Sequence, residues 1–368
     1  MLLSLPLSLF RLFVLSAALI VSQSFAQDVA TEPPASLHPN SRWIAASWDE
    51  LPGAFEDDPR EAVSAWLASC IRSQDPWRKA CAELSALKNA DSEVIRIWMM
   101  GRFQPYRIEP LAASSATTPN TGLLTGYYEP VLPARRLADD AFRYPLYRLP
   151  ADLERGSARQ WFTRQDIDTA GSQAQQALQG RAIAYLQSPL DVLALQIQGS
   201  GQLDLVQTDG THQRIRLTFA GSNNQPYKSV GVWLRDTQGV RELSWPAIKA
   251  WVIANPDQTD RLMWSNPRVV FFKERPASNE GPVGAQGVPL TAGRSIAVDP
   301  KSLPYGTPVW LVSSGASVNL KRLVMAQDTG AAITGAVRAD YYVGSGDEAG
   351  EIAGRLKQNL QMWALWPK

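Results

Sequence analysis

The chain has 368 residues, of which 45% are hydrophobic and 19% charged, and its formal net charge is +1. This length and composition allow a large buried core and indicate two folded units rather than one. The near-neutral charge and the scattered lysines and arginines exclude a strongly basic nucleic-acid binder and argue against a substrate held by bulk charge.

The amino terminus indicates export. Arg11 precedes an apolar run from Leu12 to Val21, and Ser24-Phe25-Ala26 supplies small residues where a signal peptidase cuts. The run is short for a membrane span, so we predict a signal peptide over 1–26, with an uncleaved anchor as the alternative. A polar, proline-containing stretch over 27–40 then reads as a flexible leader. No cysteine follows the apolar run to carry a lipid, so we expect a soluble periplasmic protein or one held by its signal.

Three helices are predicted between Ser47 and about Tyr106. Asp57-Asp58-Pro59 begins the first one, because proline is favoured just inside a helix start. The second helix carries Trp77 and Cys81, and the third begins at Asp91. Their apolar residues recur at helical spacing and predict core-facing stripes, with no cofactor signal among them.

The chain has two cysteines, Cys70 and Cys81, which lie on the first two predicted helices. Export permits a disulfide, and the turn Asp75-Pro76 between them could bring the sulfur atoms together. We predict one structural bridge between two helices; a pair of buried thiols is the alternative.

After residue 120 the pattern changes to short β-type runs broken by Gly, Pro and Asn, which suggests barrels rather than a parallel sheet. Strands are predicted at 123–130, 144–149, 182–186, 192–197, 214–219, 269–273, 295–298, 308–312 and 320–327. Further helices are predicted at 164–178, 244–255 and 257–263. The final segment opens with Ser345-Gly346-Asp347-Glu348, which resembles a capping box, and is predicted to continue as a helix with Ile352, Leu356 and Leu360 on one face.

Two carboxylates near the carboxyl terminus are the first candidates for chemistry. Asp328 lies in Gln327-Asp328-Thr329-Gly330, and Asp340 follows twelve residues later beside Arg338 and two tyrosines. A carboxyl group keeps its proton near neutral pH where apolar walls or like charges disfavour ionisation. Asp-Thr-Gly also matches half of an aspartic protease site, which would demand a homodimer because one copy occurs. Alternatively, both aspartates cap turns.

Histidine chemistry is not available to this chain. Its two histidines, His38 in the leader and His212 in a polar turn, provide neither a His-rich metal site nor a Ser-His-Asp triad. We expect no metal and no cofactor, so catalysis must rest on carboxylates or not occur.

Aromatic and amide side chains are candidates for holding a sugar. Tyr127, Tyr128, Tyr341 and Tyr342 stand near glycines in predicted turns, where they could stack on a sugar ring or simply pack. Gln196-Ile197-Gln198-Gly199-Ser200-Gly201-Gln202 is predicted to end an alternating strand with amides and hydroxyls on one side. These could hydrogen-bond glycan hydroxyl and N-acetyl groups, or form a plain turn.

Six motifs, in order along the chain, together resemble the membrane-bound lytic murein transglycosylase A family. They are Thr125-Gly126-Tyr127-Tyr128-Glu129-Pro130, Gln198-Gly199-Ser200-Gly201, Asn266-Pro267 with Phe271-Phe272-Lys273, Gly293-Arg294-Ser295, Val298-Asp299-Pro300 with Pro304-Tyr305-Gly306-Thr307, and Gln327 through Asp340. Each motif is weak alone, but their order is specific. The segment with Asp299, Asp328 and Asp340 resembles the family's three-aspartate domain.

The resemblance implies a mainly β fold with N-terminal helices. A double-psi β-barrel catalytic domain would comprise 41–130 and 268–368, a smaller β-domain would be inserted over 131–267, and a groove for glycan would lie between them. It also implies cleavage of the MurNAc–GlcNAc β-1,4 bond of peptidoglycan with formation of 1,6-anhydro-MurNAc. The expected partner is a glycan strand, the expected form is a monomer, and any wall-remodelling protein partner is left open.

The resemblance assigns the acid to Asp340, with Asp328 as the neighbour that raises its pKa or orients it, while Asp299 is expected to support a turn. The sugar's own C6 hydroxyl would attack C1, so one aspartate could act first as acid and then as base; ordinary glycosidases need two carboxylates. Substrate contacts are expected from Thr125, Tyr127, Tyr128, Gln198, Ser200, Arg338 and Tyr341. Two rival interpretations are a hydrolase on the same barrel, with Asp328 as base for water, and a non-catalytic, expansin-like wall-binding protein.

Overall fold

The computed structural model describes residues 33–72, 75–111, 121–153, 159–207, 209–316 and 318–368. The predicted signal peptide over 1–26 lies outside these ranges. Within them, no helix is both long and apolar enough to cross a membrane.

The described residues form helices and strands in an α+β arrangement dominated by strands. The helices are α1 (Arg60–Cys70), α2 (Arg78–Ala86), α3 (Ser92–Arg102), α4 (Arg164–Asp168), α5 (Gln173–Ala177), α6 (Pro189–Gln198), α7 (Val230–Gln238), α8 (Trp245–Ala254), α9 (Thr259–Trp264) and α10 (Asp347–Arg355). The strands are β1 (Ser41–Ala45), β2 (Phe103–Pro110), β3 (Gly122–Glu129), β4 (Val131–Ala134), β5 (Tyr144–Tyr147), β6 (Ala182–Leu186), β7 (Ser200–Val206), β8 (His212–Ser222), β9 (Val270–Pro276), β10 (Ser295–Val298), β11 (Pro308–Ser314), β12 (Asn319–Asp328), β13 (Arg338–Ser345) and β14 (Lys357–Pro367).

Six strands close into a ring in the order β14-β11-β12-β10-β13-β3, because β3 also pairs with β14. Two of these pairs, β10–β12 and β13–β3, are parallel, and the other four are antiparallel. Buried side chains from all six strands pack together inside the ring, among them Leu124, Ile296, Val309, Val324, Tyr341 and Met362. The mainly β fold is confirmed, and the closed ring agrees with the barrel that the resemblance implied.

The ring draws on both ends of the chain. Strand β3 lies about one third of the way along the sequence and pairs with β13 and β14 from the last tenth. Strands β2 and β1 extend the sheet outward from β14. Helices α1 to α3 cover this extension through a cluster that includes Trp66, Phe103, Trp310 and Trp366, so the three predicted N-terminal helices are confirmed as core-facing elements.

A smaller unit is built on a four-stranded sheet in the order β4-β7-β8-β9. One face of this sheet packs on α6 and the β5–β6 pair through Leu203, Leu205, Leu217 and Phe272. Strand β9 was expected in the barrel, which was predicted to resume at 268. It pairs instead with β8 along the register Ile215↔Pro276 to Ser222↔Val270, so the chain leaves the smaller sheet only after Pro276.

Three predicted elements are wrong. Residues 192–197 lie in α6 rather than in a strand, because Ser188 caps a helix whose first residue is Pro189. The predicted C-terminal helix ends at Arg355, and Leu360 lies in β14. The predicted capping box does not form: Gly346 is the N-cap, and the Ser345 hydroxyl donates to Glu129 instead.

The predicted leader is also wrong where the structure describes it, over 33–40. The His38 ring stacks on Trp43 with ring centroids 4.6 Å apart, and the backbone N–H of Asn40 donates to the carbonyl of Lys301. This end of the leader therefore packs on the barrel. Residues 27–32 lie outside the described ranges.

A disulfide joins Cys70 at the end of α1 to Cys81 in α2, as predicted. It closes a loop with a sequence separation of 11 residues. We expect Cys70→Ser/Cys81→Ser to lower the free energy of unfolding by about 2–3 kcal/mol, because the crosslink restricts the unfolded chain. Urea unfolding of the oxidised wild type and the variant would measure this, and reduced wild type should match the variant. Equal midpoints for oxidised and reduced wild type would contradict it.

Candidate active site

Four neighbouring strands of the barrel place one residue each in a row: Asp328 on β12, Ala297 on β10, Asp340 on β13 and Thr125 on β3. The register pairs Ala297 with both aspartates, and it pairs Asp340 with Thr125. Residues directly opposite one another share a face of the sheet. The small side chain of Ala297 therefore lies between the two carboxylates on the outer face of the barrel.

A β-bulge sets the direction of Asp328. Ile296 pairs with Ala326, but the next residue, Ala297, pairs with Asp328, so Gln327 is the extra residue on β12. Without this irregularity Asp328 would share the inward face of Ala326, since side chains alternate along a strand. Gln327 is itself fully buried, and its amide donates to the carbonyl of Ala65 and to Ser69 Oγ of α1. Helix α1 thus anchors the bulge that presents Asp328.

Asp340 accepts a hydrogen bond through one oxygen atom. Thr125 Oγ1 donates to Asp340 Oδ1 at 2.5 Å, and Arg338 Nη2 donates to the same threonine hydroxyl at 2.8 Å. Asp340 Oδ2 accepts no hydrogen bond from the residues that the structure describes. Burial raises the pKa of Asp340, while the Thr125 hydroxyl and the Arg338 charge lower it by less.

Asp328 is surrounded by donors. Its Oδ1 accepts from the backbone N–H of Ala285 at 2.9 Å, its Oδ2 accepts from the Tyr127 hydroxyl at 3.0 Å, and the Thr329 backbone N–H donates as well. Burial raises the pKa of Asp328, the charge of Asp340 adds to the rise, and the three donors oppose it. Because donors stabilise a carboxylate, Asp328 is the better placed of the two to be ionised, and Asp340 to hold the proton.

Apolar side chains form the wall beside the carboxylates. Tyr127, Leu290, Ala297, Ile333 and Tyr342 make one buried cluster on the outer face of the barrel. Burial raises the pKa of Tyr342 to about 12, so its hydroxyl stays protonated and faces Ser345 Oγ at 3.3 Å. The cluster removes water from one side of the pair, which is the desolvation that disfavours a charged carboxylate.

Asp299 lies at the turn after β10 and does not reach the pair. Its Oδ1 accepts from the backbone N–H of Lys301 and its Oδ2 from the backbone N–H of Gly335, both at 2.9 Å. Gly335 has a φ of 106°, which other residues rarely adopt. Asp299 therefore ties the turn after β10 to the loop that leads into β13 and Asp340.

The two aspartates open into a cleft of about 1070 Å³ between the barrel and the smaller sheet. Gln198 and Ser200 line this cleft, as expected, although Gln198 ends a helix and Ser200 begins β7. Arg216 and Thr218 of β8, Arg268, and Lys273 and Arg275 of β9 line the same wall. A second cavity of about 890 Å³ lies along β9 and contains no aspartate; Arg148 and Arg214 line it, and Lys273 and Arg275 border both cavities.

Two tyrosines predicted to contact substrate lie elsewhere. Tyr341 points into the barrel, where its hydroxyl donates to the carbonyl of Gly293 and accepts from Arg322. Tyr128 packs on Gly350 of α10, outside the residues that line the cleft. Tyr342, one residue after Tyr341 and two after Asp340, is the tyrosine that shares the outer face of the barrel with Asp340. Thr125, Tyr127 and Arg338 lie at the pair as its hydrogen-bonding partners or their neighbours.

Glu129 is a site residue that the sequence patterns did not single out. It is 0% exposed, and Arg216 Nε of the smaller sheet lies 2.7 Å from its Oε1. Gln202 Nε2 and Ser345 Oγ donate to its Oε2 at 2.8 and 2.9 Å. The sequence feature that could have identified Glu129 is its position just before Pro130, at the predicted boundary between the two domains. Glu129 ties the smaller sheet to the end of β13.

Metal ligation has no support in the described ranges, where no three His, Cys, Asp or Glu side chains gather to hold an ion. The chemistry available at this site is proton transfer by two half-buried carboxyl groups beside a polar cleft.

Comparison with known proteins identifies relatives along most of the chain. Residues 123–273 match the MltA specific insert domain, and residues 294–366 match the 3D domain. A relative from Vibrio cholerae, membrane-bound lytic murein transglycosylase A, is 34% identical over 254 residues. That match covers 66% of this chain and 65% of the relative, so it spans slightly less than two thirds of the relative's length.

Solved structures give the same result over more of the chain. The lytic transglycosylase LtgG of Burkholderia pseudomallei is 42% identical, with 89% of this chain and 96% of that chain covered and a TM-score of 0.58. MltA of Escherichia coli with bound chitohexaose is 26% identical, with 93% and 96% covered and a TM-score of 0.68.

Proposed function

Since the chain belongs to the MltA family of lytic transglycosylases, we propose that it cleaves the β-1,4 bond between MurNAc and GlcNAc of peptidoglycan and leaves 1,6-anhydro-MurNAc. The observation that carries the proposal is Asp340, a half-buried carboxyl with a raised pKa and one unengaged oxygen atom, at the cleft that holds Gln198 and Ser200. The chitohexaose bound to the Escherichia coli relative supports a sugar chain as the ligand.

The first step is proton donation. Asp340 carries its proton on Oδ2, since Oδ1 already accepts from Thr125, and gives it to the glycosidic oxygen as the bond from C1 to that oxygen breaks. The leaving GlcNAc departs with a new hydroxyl group. General acid catalysis of this kind is effective only if the acid is still protonated at the working pH, which burial of Asp340 favours.

The second step closes the sugar ring. Asp340, now ionised, takes the proton of the MurNAc C6 hydroxyl while the C6 oxygen forms a bond to C1. The proton balance returns to its starting point and no water is consumed. Asp328, whose carboxylate form is favoured by its three donors, stabilises the positive charge that develops at the sugar and keeps Asp340 in its proton-bearing state.

Rival functions make different demands on the same site. A hydrolase would use Asp328 as the base for water, but three donors already engage that carboxylate. A wall-binding protein without turnover would have no use for two desolvated carboxylates. An aspartic protease would need a second chain to supply its partner, whereas Asp328 already has Asp340 beside Ala297 in its own chain.

Product mass tests the reaction directly. Purified peptidoglycan incubated with the protein should release muropeptides one water lighter than the hydrolytic products, as read by mass spectrometry. Products of hydrolytic mass would establish the hydrolase instead. No release, with glycan binding retained, would favour the wall-binding protein.

The pH dependence follows from the raised pKa of Asp340. Activity requires the protonated acid, so kcat/KM should persist well above 3.8, the usual pKa of an aspartate, and fall as pH rises through the raised value. Thr125→Val should move this falling limb to higher pH, because the Thr125 hydroxyl lowers the pKa of Asp340. Thr334→Val, at an exposed threonine, serves as the matched control. If the fall of kcat/KM with rising pH occurs at the same pH in Thr125→Val as in the wild type, the assignment of Asp340 as the acid is contradicted.

The cell envelope is the proposed location, since the substrate lies there and the curated relatives are named membrane-bound. We propose action in the periplasm as a monomer on glycan strands. Fractionation of the mature protein tests the location, and a cytoplasmic protein would contradict it.

A further inference from the structure

We propose that Lys273 and Arg275, on the smaller-sheet wall of the cleft, bind the carboxylates of the acidic peptide stems that peptidoglycan strands carry. The inference rests on the proposed function, because it takes the ligand of the cleft to be a peptidoglycan strand. It goes further by naming a second recognition element of the substrate, apart from its sugars.

Polar residues form two rows across the wall. One row runs Ser200, Thr218, Lys273 over β7, β8 and β9, and the next runs Gln202, Arg216, Arg275 over the same strands. Residues paired in this way share one face of a sheet. The other face is the apolar core of the smaller unit, so the polar rows lie toward the cleft.

The charges in these rows are not equivalent. Arg216 is buried and paired with Glu129, so that charge is neutralised inside the protein. Lys273 and Arg275 are exposed, and neither forms an ion pair with any residue that the structure describes. They stand on alternate residues of one strand, so both side chains extend from the same face.

The remaining charge in the cleft does not offset them. Arg72 and Arg268 also line it, which gives four cations with Lys273 and Arg275, against the exposed Glu280 and the ionised Asp328, since the proposed mechanism leaves Asp340 protonated. In a protein with a formal net charge of +1, this is a local concentration of positive charge. Cations held close together repel each other, and an anionic ligand relieves that repulsion.

The sugars of a glycan strand do not require the positive charges of Lys273 and Arg275. Its hydroxyl and N-acetyl groups are neutral, and amides and hydroxyls such as those of Gln198, Ser200 and Thr218 can satisfy them. Free carboxylates enter the substrate through the short peptides on the lactyl group of MurNAc. A lysine and an arginine spaced along one strand fit such carboxylates through charge-assisted hydrogen bonds.

Binding should be measured without turnover, in full-length Asp340→Asn protein. The two probes are peptidoglycan oligosaccharides with intact stems and the same oligosaccharides after amidase has removed the stems and the lactyl carboxylate exposed by that cleavage has been converted to a neutral amide. We expect the stem-bearing probe to bind about tenfold more tightly at low salt, and the preference to shrink as salt rises. Lys273→Ala/Arg275→Ala, made in the same background, should bring the affinity ratio close to one.

The control removes two positive charges outside the cleft. Arg214→Ala/Arg241→Ala changes exposed residues that do not line it, and should keep the wild-type ratio. Equal affinity for the two probes before mutation, or an equal fall of the ratio in the control, would overturn the proposal. Stem-dependent binding without anhydro product from the unmutated protein would refute the proposed function and leave this inference standing; binding of neither probe would overturn both.

Discussion

Replacing Asp340 with asparagine is expected to reduce the release of anhydro-muropeptides by about 10³-fold or more, which is the upper range for loss of a general acid. Asparagine keeps the shape of the side chain and can still accept from Thr125, so the cleft stays intact. Affinity for peptidoglycan oligosaccharides should therefore change little. Release measured by mass spectrometry, beside binding to the same oligosaccharides, separates the two effects.

Two variants control this result. Asp347→Asn makes the same change at an exposed carboxylate of α10 and should retain wild-type release. Asp328→Asn should lower release less than Asp340→Asn, because it removes a neighbour of the acid rather than the acid. A larger loss in Asp328→Asn would reassign the proton donor.

Stability should move in the opposite direction to activity in Asp340→Asn. Burial raises the pKa of Asp340 in the folded protein, so folding costs more as pH rises from the unfolded value toward the folded one. The neutral asparagine avoids that cost. The variant should melt at a higher temperature than wild type at neutral pH, and the difference should vanish at pH values below the usual range of an aspartate.

The second large effect is expected at Glu129. Glu129→Ala leaves Arg216 buried without its partner, which should lower the free energy of unfolding by about 3–5 kcal/mol. It also removes the acceptor for Gln202 and Ser345, which join the smaller sheet to the end of β13. Urea unfolding measures the loss.

A double-mutant cycle separates the Glu129–Arg216 interaction from the loss of packing that each truncation to alanine causes by itself. Glu129→Ala/Arg216→Ala should be destabilised by less than the sum of the two single variants, since the second change removes the stranded charge. Glu351→Ala breaks an exposed pair with Arg355 and should cost less than about 1 kcal/mol. Additive effects in the cycle would show that Glu129 and Arg216 do not stabilise each other.

The sequence identified the two carboxylates but not how they meet. Asp328 was recognisable because Thr329 and Gly330 follow it, and Asp340 because two tyrosines follow it. Their proximity depends on pairing with Ala297, and the residues paired across β10, β12 and β13 lie far apart in sequence. Short-range patterns carry no information about such pairings. The bulge at Gln327 likewise depends on its contact with α1, more than 250 residues away.

The misplaced tyrosine has a simple cause. The glycines around Tyr341 and Tyr342 predict a turn at both residues. In the structure they are consecutive residues of β13. In a strand, consecutive side chains point to opposite faces, so one of the two had to enter the barrel. The sequence does not say which one, because both residues are equally compatible with the core and with the cleft.

The C-terminal error has a different cause. Leu356 and Leu360 are four residues apart, a spacing that puts two side chains on one face of a helix and also on one face of a strand. Over so few residues the two periods are indistinguishable. Strand pairing determines that this segment is a strand, because β14 pairs with β11, β2 and β3 in the larger sheet. Helix α3 was predictable because its start has a local signal: the Asp91 side chain accepts from the backbone N–H of Val94.

The closure of the barrel by β14 also orders events in the life of the protein. Thr125 and Tyr127 come from β3, whose neighbours β13 and β14 are made long after it during synthesis. A chain that emerges amino terminus first cannot align its acid with Thr125 until residue 340 and the strand after it are present. Any such chain, on the ribosome or in transit across a membrane, lacks the proposed glycan-cleaving site until β13 and β14 have paired with β3.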